Sequence, residues 1–247
     1  EELTLTGRIR IACEGINGTI EGLKRHVDAY KRFLDRSEHF DSIDFKTSIN
    51  LRPSRSSFTS LSVKFTNELV TLGKPLNEIS QERGRHMKPA EFHSFLKSHY
   101  DRNDFVLLDV RNGYESKIGH FKNAVKPQIR NYAAFPRWVE SNLDMLKSKK
   151  EIAMYCTGGI RCETASAVLK SRGVEGNIVQ LSGGIHRYLE SFRGSESLYL
   201  GKNFVFDRRR TDGLLGNGFV GRCDNCGVPH DEYFDESKSK ERVCCDI

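Results

Sequence analysis

The chain lacks any apolar run approaching the roughly 20 residues that a membrane-spanning helix needs. It also lacks a basic-then-apolar leader at its start, so helical insertion into a membrane is not expected of this stretch. It begins at Glu1 rather than Met, which leaves the true terminus and any targeting signal open. No internal repeat and no long low-complexity tract is visible, which sets repeat architectures aside. No flavin, nicotinamide or iron-ligand motif stands out, so no organic cofactor is expected. The seven cysteines are unevenly clustered and do not suit a secreted disulfide framework. A reducing compartment, the cytoplasm, is expected instead.

What remains is an ordinary composition, 37% hydrophobic and 29% charged, with a formal net charge of +6. Such mild positive charge is compatible with a nucleic-acid partner. A length of 247 residues suggests two modest domains, each able to bury a core. In residues 1–76, Gly7–Cys13 alternates like a strand, and a glycine-rich turn, Glu14–Gly18, leads to Thr19–Glu21. Leu23, Val27, Tyr30 and Leu34 then recur at helical spacing, and Ile43–Ile49 and Leu61–Leu72 are β-rich. Strand, strand, helix, strand, strand predicts a small ferredoxin-like α+β domain. It holds no titratable cluster that suggests catalysis. Residues 77–88 are polar and glycine-punctuated and read as a linker. Pro89 opens a helix burying Phe92, Phe95 and Leu96, and a second, α/β domain spans 89–194.

Within that domain, Tyr155–Cys162 is the most informative stretch. Glu151–Tyr155 reads as a short apolar strand, while Cys162–Arg172 places Ala165, Val168 and Leu169 on one helical face. A thiol at Cys156 would face the unpaired N–H groups and positive dipole end of that helix, which favour thiolate. Gly158 and Gly159 let the backbone curl into an anion-binding nest, and Arg161 adds a fixed positive charge. A cysteine phosphatase spaces its arginine one residue further on, where Cys162 stands here. The smaller loop of Thr157, Gly158, Gly159, Ile160 and Arg161 suits a terminal persulfide sulfur better than phosphate. Cys162 reads either as a resolving thiol for Cys156 or, the favoured reading, as a small residue packed at the helix start. Asp109 and Arg111 follow an apolar strand. An internal ion pair bracing the loop is favoured there over direct chemistry. Asn177–Gly184 reads as a further strand ending in a turn, and Gly184–Phe192 as a helix. His120 and His186 stand alone and read as structural.

Residues 195–247 differ in kind. Cys223-x-x-Cys226 with the later Cys244–Cys245 pair is a zinc signal, with free thiols as the alternative. Cys244 is the best third ligand, and Cys245 or His230 the fourth. The Arg208–Arg210 run beside Phe204 and Phe206 is either a solvated face or a grip on phosphate and base.

The Cys156-x-x-Gly159-x-Arg161 string resembles the active-site loop of the rhodanese family, and Leu107–Arg111 with Gly119–His120–Phe121 resembles the segment preceding it. Glu14–Gly18, Lys88–His93, Gly119–Phe121, Cys156–Glu163, Gly183–Ile185 and Phe204–Asp207 occur in that order. This arrangement resembles the TrhO (tRNA uridine 5-hydroxylase) family and its eukaryotic rhodanese-domain relatives over nearly the whole chain. The resemblance implies an acylphosphatase-like N-terminal domain, a central rhodanese domain and a Cys-rich C-terminal part. It also implies oxygen-dependent hydroxylation of the wobble uridine of tRNA, with Cys156 essential. No acyl-phosphate catalytic pair is evident, so that hydrolase activity is not carried over. The alternative is a sulfurtransferase, in which Cys156 takes sulfur from a small donor and passes it to an acceptor thiol.

Overall fold

The structure, a computed structural model, describes residues 3–40, 43–48, 58–73, 80–206, 211–215, 218, 220–223 and 225–230. It divides into two compact units, one built from residues 1–69 and the other mainly from 70–205.

In the first unit, β1 (Leu5–Ala12) and β2 (Gly15–Gly22) form an antiparallel hairpin, and β3 (Leu61–Phe65) lies parallel to β1 in the order β2-β1-β3. The expected turn at Glu14–Gly18 is tighter than its glycines suggested. Only Cys13 and Glu14 turn, and Gly15 already pairs with Ala12. Helix α1 (Lys24–Asp35) buries Leu34 as expected, but its other buried residue is His26, whose Nδ1 lies 3.2 Å from the Thr4 amide. Leu23 is extended at the cap position and exposed, because the helix starts only after it. Residues 43–48 are not a strand, and Ile49 lies outside the described residues. There the Phe45 amide bonds the Ile43 carbonyl, a local bond that replaces a sheet ladder. The Leu61–Leu72 run is extended only to Phe65. A turn follows, in which the Thr66 hydroxyl donates to the Glu68 carbonyl at 2.9 Å.

The second unit is a parallel four-stranded sheet in the order β4-β8-β7-β5, from β4 (Arg85–Met87), β5 (Phe105–Asp109), β7 (Glu151–Tyr155) and β8 (Asn177–Leu181). Its central strands are apolar at successive positions because both faces are covered. Val106, Leu108, Ile152 and Met154 face one core, with α4 (Phe135–Ser141), α5 (Leu143–Lys147) and α6 (Ile160–Ser171). Phe105, Leu107, Ala153 and Tyr155 face the other, with α2 (Pro89–His99) and α7 (Gly184–Ser191). Phe92 and Leu96 are buried in that core, and Phe95 packs against it partly buried. Leu72 already belongs to the first of these cores.

The segment read as a linker ends in β4, which occupies the open edge of β8. An unpaired edge is a liability, and the Gln180 side chain fastens this one by donating to the Gly84 carbonyl at 2.8 Å. The C-terminal segment likewise begins as structure. β9 (Tyr199–Phe204) pairs with β6 (Gly119–Phe121) and with β10 (Thr211–Leu215), both antiparallel. Among the described residues no helix is long and apolar enough to cross a membrane. Arg208–Arg210, Cys244 and Cys245 lie outside the described residues.

Candidate active site

Strands β5, β7 and β8 run parallel, so their carboxyl ends bring three loops to one edge of the sheet. Cys156 is the first residue after β7, and Gly159, at φ +99°, caps α6. The Gly159 amide donates to Cys156 Sγ at 3.0 Å. The loop carbonyls point the other way. Cys156 O accepts the Ile185 amide at 3.0 Å and Thr157 O accepts the His186 amide at 3.2 Å. Both donors are in the first turn of α7, whose end would otherwise carry unsatisfied N–H groups. This division of carbonyls outward and amides inward builds the nest that the glycines suggested. It depends on Gly184, at φ +64°, where a Cβ would stand 2.5 Å from Cys156 O and 2.7 Å from Gly158 N. Cys156 itself is covered completely. Gly158 is the open point of the loop, since a Cβ there would meet nothing within 4 Å.

Arg161 does not reach into the loop mouth. Its guanidinium forks onto Glu115, with Nη1–Oε1 and Nη2–Oε2 both at 2.7 Å, and also donates to Thr157 Oγ1 at 3.1 Å. Thr157 in turn donates to Glu115 Oε2 at 3.2 Å, and the Asn112 amide to Oε1 at 3.1 Å. Glu115 lies in α3 (Gly113–Ser116) and is fully buried. One carboxylate thus joins the active loop, the start of α6 and the cap of α3. The Asn112-x-x-Glu115 spacing is a capping-box signal that marks the helix start, and nothing in it announces the arginine. Ile160, the first residue of α6, is half-buried.

The electrostatics favour a thiolate. Burial by itself pushes the Cys156 thiol up. A hydrogen bond from Cys162, the positive charge of Arg161 and the amides of Arg161 and Gly158 overcome that and hold it down at about 5. Cys162 is pushed the opposite way, well above its ordinary range, by burial and by the hydrogen bond and charge at Cys156. The two buried thiols therefore divide the work. Cys156 carries the negative charge and Cys162 keeps its proton and donates it.

Asp109 and Arg111 form a separate, fully buried ion pair with Nε–Oδ1 at 2.8 Å and Nη2–Oδ2 at 2.6 Å. Tyr155 donates to Asp109 at 2.8 Å, and Arg111 also reaches the Gly119 carbonyl at 2.6 Å and Tyr199 at 3.3 Å. The cluster ties β5, β6, β7 and β9 together behind the loop and makes no hydrogen bond to the reactive sulfur. His120 lies 2.9 Å from the Ser116 carbonyl, and burial lowers its pKa. His186 serves the loop through its backbone. Cys223 and Cys226 sit together in a turn of the C-terminal segment. No three metal-ligating side chains converge among the described residues.

Residues 1–69 match the family model described as UPF0176 acylphosphatase like domain, and residues 93–191 match the Rhodanese-like domain. The chain is similar to rhodanese-like domain-containing protein 6 of Arabidopsis thaliana, at 40% identity over 98% of this chain and 44% of the plant protein. It is similar to the tRNA uridine(34) hydroxylase of Prochlorococcus marinus strain MIT 9515, at 36% identity over 93% of this chain and 73% of that protein. The corresponding enzyme of strain MIT 9215 is 35% identical over 92% of this chain and 72% of its own length. The chain thus spans less than half the length of the plant relative.

Proposed function

The chain belongs to the tRNA uridine(34) hydroxylase family, and from that premise we propose that it hydroxylates the wobble uridine of tRNA with Cys156 as the reactive centre. The observation that carries this reading is the likeness to two proteins named for that activity over more than nine-tenths of the chain. The site supports it chemically. A thiolate held near pH 5 is almost fully available at neutral pH. Such a soft nucleophile adds to C6 of a uracil ring, forming a covalent S–C6 bond as the C5=C6 electron pair moves onto C5 as an enolate. C5 would then take one oxygen atom from dioxygen, an external two-electron reductant carrying the other atom to water, and give up its proton as the thiolate leaves. Expulsion of the thiolate afterwards restores the ring and the enzyme. The loop amides hold the sulfur, and Glu115 holds Arg161 and Thr157 in place around it. The substrate would approach across Gly158, where the loop is open.

The test is quantitative mass spectrometry of tRNA nucleosides from cells with and without the gene, complemented by wild type or Cys156→Ser. Loss of 5-hydroxyuridine derivatives, restored only by wild type, supports the reading. Unchanged nucleosides in the deletion strain rule it out.

Sulfur transfer is the second reading, favoured by the inward amides around Cys156 Sγ, which suit the negative charge of a persulfide. In that case Cys156 would gain the mass of one sulfur on treatment with thiosulfate. No such adduct would form if the loop serves only the uridine chemistry.

A further inference from the structure

The C-terminal half of α1 carries a stripe of side chains that the core of the first unit does not use. Ala29, Arg32, Phe33 and the C-cap Arg36 recur at i, i+3, i+4 and i+7, the spacing that gathers residues on one helical face. The buried residues of the helix, His26 and Leu34, are both outside that stripe. With Ser37 and His39 the four line a cavity of about 490 Å³, a size that falls within the roughly 300–1,000 Å³ of small-ligand sites. The turn beyond the helix is tied by its own backbone. The Ser37 amide donates to Leu34 O at 3.0 Å, the Phe40 amide to Ser37 O at 3.3 Å and the His39 amide to Ser37 Oγ at 3.3 Å.

Phe33 is 70% exposed in this cavity, although phenylalanine is among the residues most often buried. Arg32 and Arg36 stand on the same face, and no carboxylate lines the cavity among the described residues. Asp35 and Glu38 lie in the same stretch but outside the lining, and Asp28 is held by Lys24 at 2.6 Å. Cations in the last turn of a helix suit its dipole. That accounts for the charge and not for the exposed ring beside it. A flat apolar ring flanked by two guanidiniums fits a ligand with a flat face and phosphates on either side, as a nucleotide within a strand has.

We propose that this cavity holds an unpaired nucleotide of the RNA substrate, its base stacked on Phe33 and its flanking phosphates on Arg32 and Arg36. Ser37 and His39 supply hydrogen-bonding groups for the ribose or the base edge. The proposal rests on the tRNA reading for the identity of its ligand. The nucleotide is one other than the reacting uridine, since Cys156 belongs to the second unit.

The experiment measures the affinity of the full chain for a tRNA transcript with uridine at the wobble position, by fluorescence anisotropy over a series of salt concentrations. Phe33→Leu should weaken binding about tenfold and Phe33→Trp should retain it, because stacking needs a ring. Arg32→Gln and Arg36→Gln should each lower the slope of log affinity against log salt by about 0.7. Ultraviolet crosslinking of the wild-type chain to the same transcript should place an adduct within residues 29–39, a result that needs no variant to fold. Wild-type affinity in Phe33→Leu, or crosslinks confined to other segments, overturns the proposal. If 5-hydroxyuridine still depends on the gene in that case, the cavity fails and the hydroxylation stands. Weakened binding in Phe33→Leu, retained in Phe33→Trp, with nucleosides unchanged in the deletion strain, keeps the cavity as an RNA site and removes the hydroxylation. A wild-type chain with no affinity for the transcript overturns the cavity whatever the nucleosides show.

Discussion

Arg161 and Glu115 meet through two parallel 2.7 Å hydrogen bonds in a site closed to solvent, so the arginine of the reactive loop is bound to a carboxylate and not held free for an anion. Its positive charge still lowers the Cys156 thiol, but it does so partly screened by Glu115. The pair braces the loop and sets the local field at once.

Glu115→Gln separates those two roles. The amide retains an acceptor for the Asn112 N–H and for one arm of Arg161, but the negative charge is gone. Breaking a buried pair from one side costs about 3–5 kcal/mol, the penalty of an uncompensated charge. Urea unfolding should show a loss of that order, lessened by whatever bonds survive. With less negative charge nearby, the Cys156 thiolate should be further stabilised, so its pKa should fall. Arg161→Gln should move it upward. Ultraviolet titration of the thiolate against a Cys156→Ser background reads both, and shifts of the same sign in the two variants would contradict the electrostatic account.

The pH dependence of Cys156 has a defined direction. The folded thiol sits at about 5 against an ordinary value of 9.0, so the stability it contributes is fully present above 9.0. It declines as pH falls and is lost on passing below about 5. Thiolate absorbance should therefore persist through neutral pH and vanish in acid with a midpoint near 5. Cys156→Ser should remove both the absorbance change and the matching slope in stability. A midpoint in the ordinary thiol range would show that burial prevails over the hydrogen bonds.

Cys162 has the role of donor. Its thiol is held protonated by burial and by the neighbouring charge, which makes it a poor nucleophile at neutral pH. Cys162→Ala should raise the Cys156 pKa, and Cys162→Ser, which keeps an O–H, should restore most of the shift. A persulfide on Cys156 should then live equally long in wild type and Cys162→Ser. A longer lifetime in the serine variant would instead make Cys162 a resolving thiol.

Much of this site was legible in the chain because its signals are local. An apolar run ending at Tyr155, two glycines and a following helix can be read in a dozen consecutive residues. The Arg161–Glu115 pair could not be read that way, because it joins positions 46 residues apart through a side-chain contact with no periodicity. Strand β4 was hidden for a related reason. Three residues carry too little pattern of their own, and Arg85–Met87 takes its order from the edge of β8. In the first unit, the β-rich run Ile43–Ile49 suggested a strand, but across its described residues, 43–48, a local Phe45–Ile43 bond prevailed. The Asp109–Arg111 pair lies between these cases. Two residues apart at a strand end, they were readable as an ion pair, whereas their links to Tyr155, Gly119 and Tyr199 were not.

Gly184→Ala tests whether the loop's inward amides depend on α7. The position has a left-handed φ of +64°, and an added methyl would press on Cys156 O and Gly158 N, which are backbone and cannot swing aside. Left-handed strain in a non-glycine residue costs about 1–3 kcal/mol, and the clash adds to it. Relief requires α7 to retreat, which lengthens the Ile185-to-Cys156 and His186-to-Thr157 bonds. Freed carbonyls would rotate, and the amides that hold the sulfur would turn with them. The Cys156 pKa should therefore rise in Gly184→Ala along with a loss of stability, whereas Gly158→Ala, at the open tip, should leave both nearly unchanged. Thiolate titration and urea unfolding on the two variants check this. A destabilised Gly184→Ala with an unshifted Cys156 would mean that α7 supports the fold but does not set the chemistry of the sulfur.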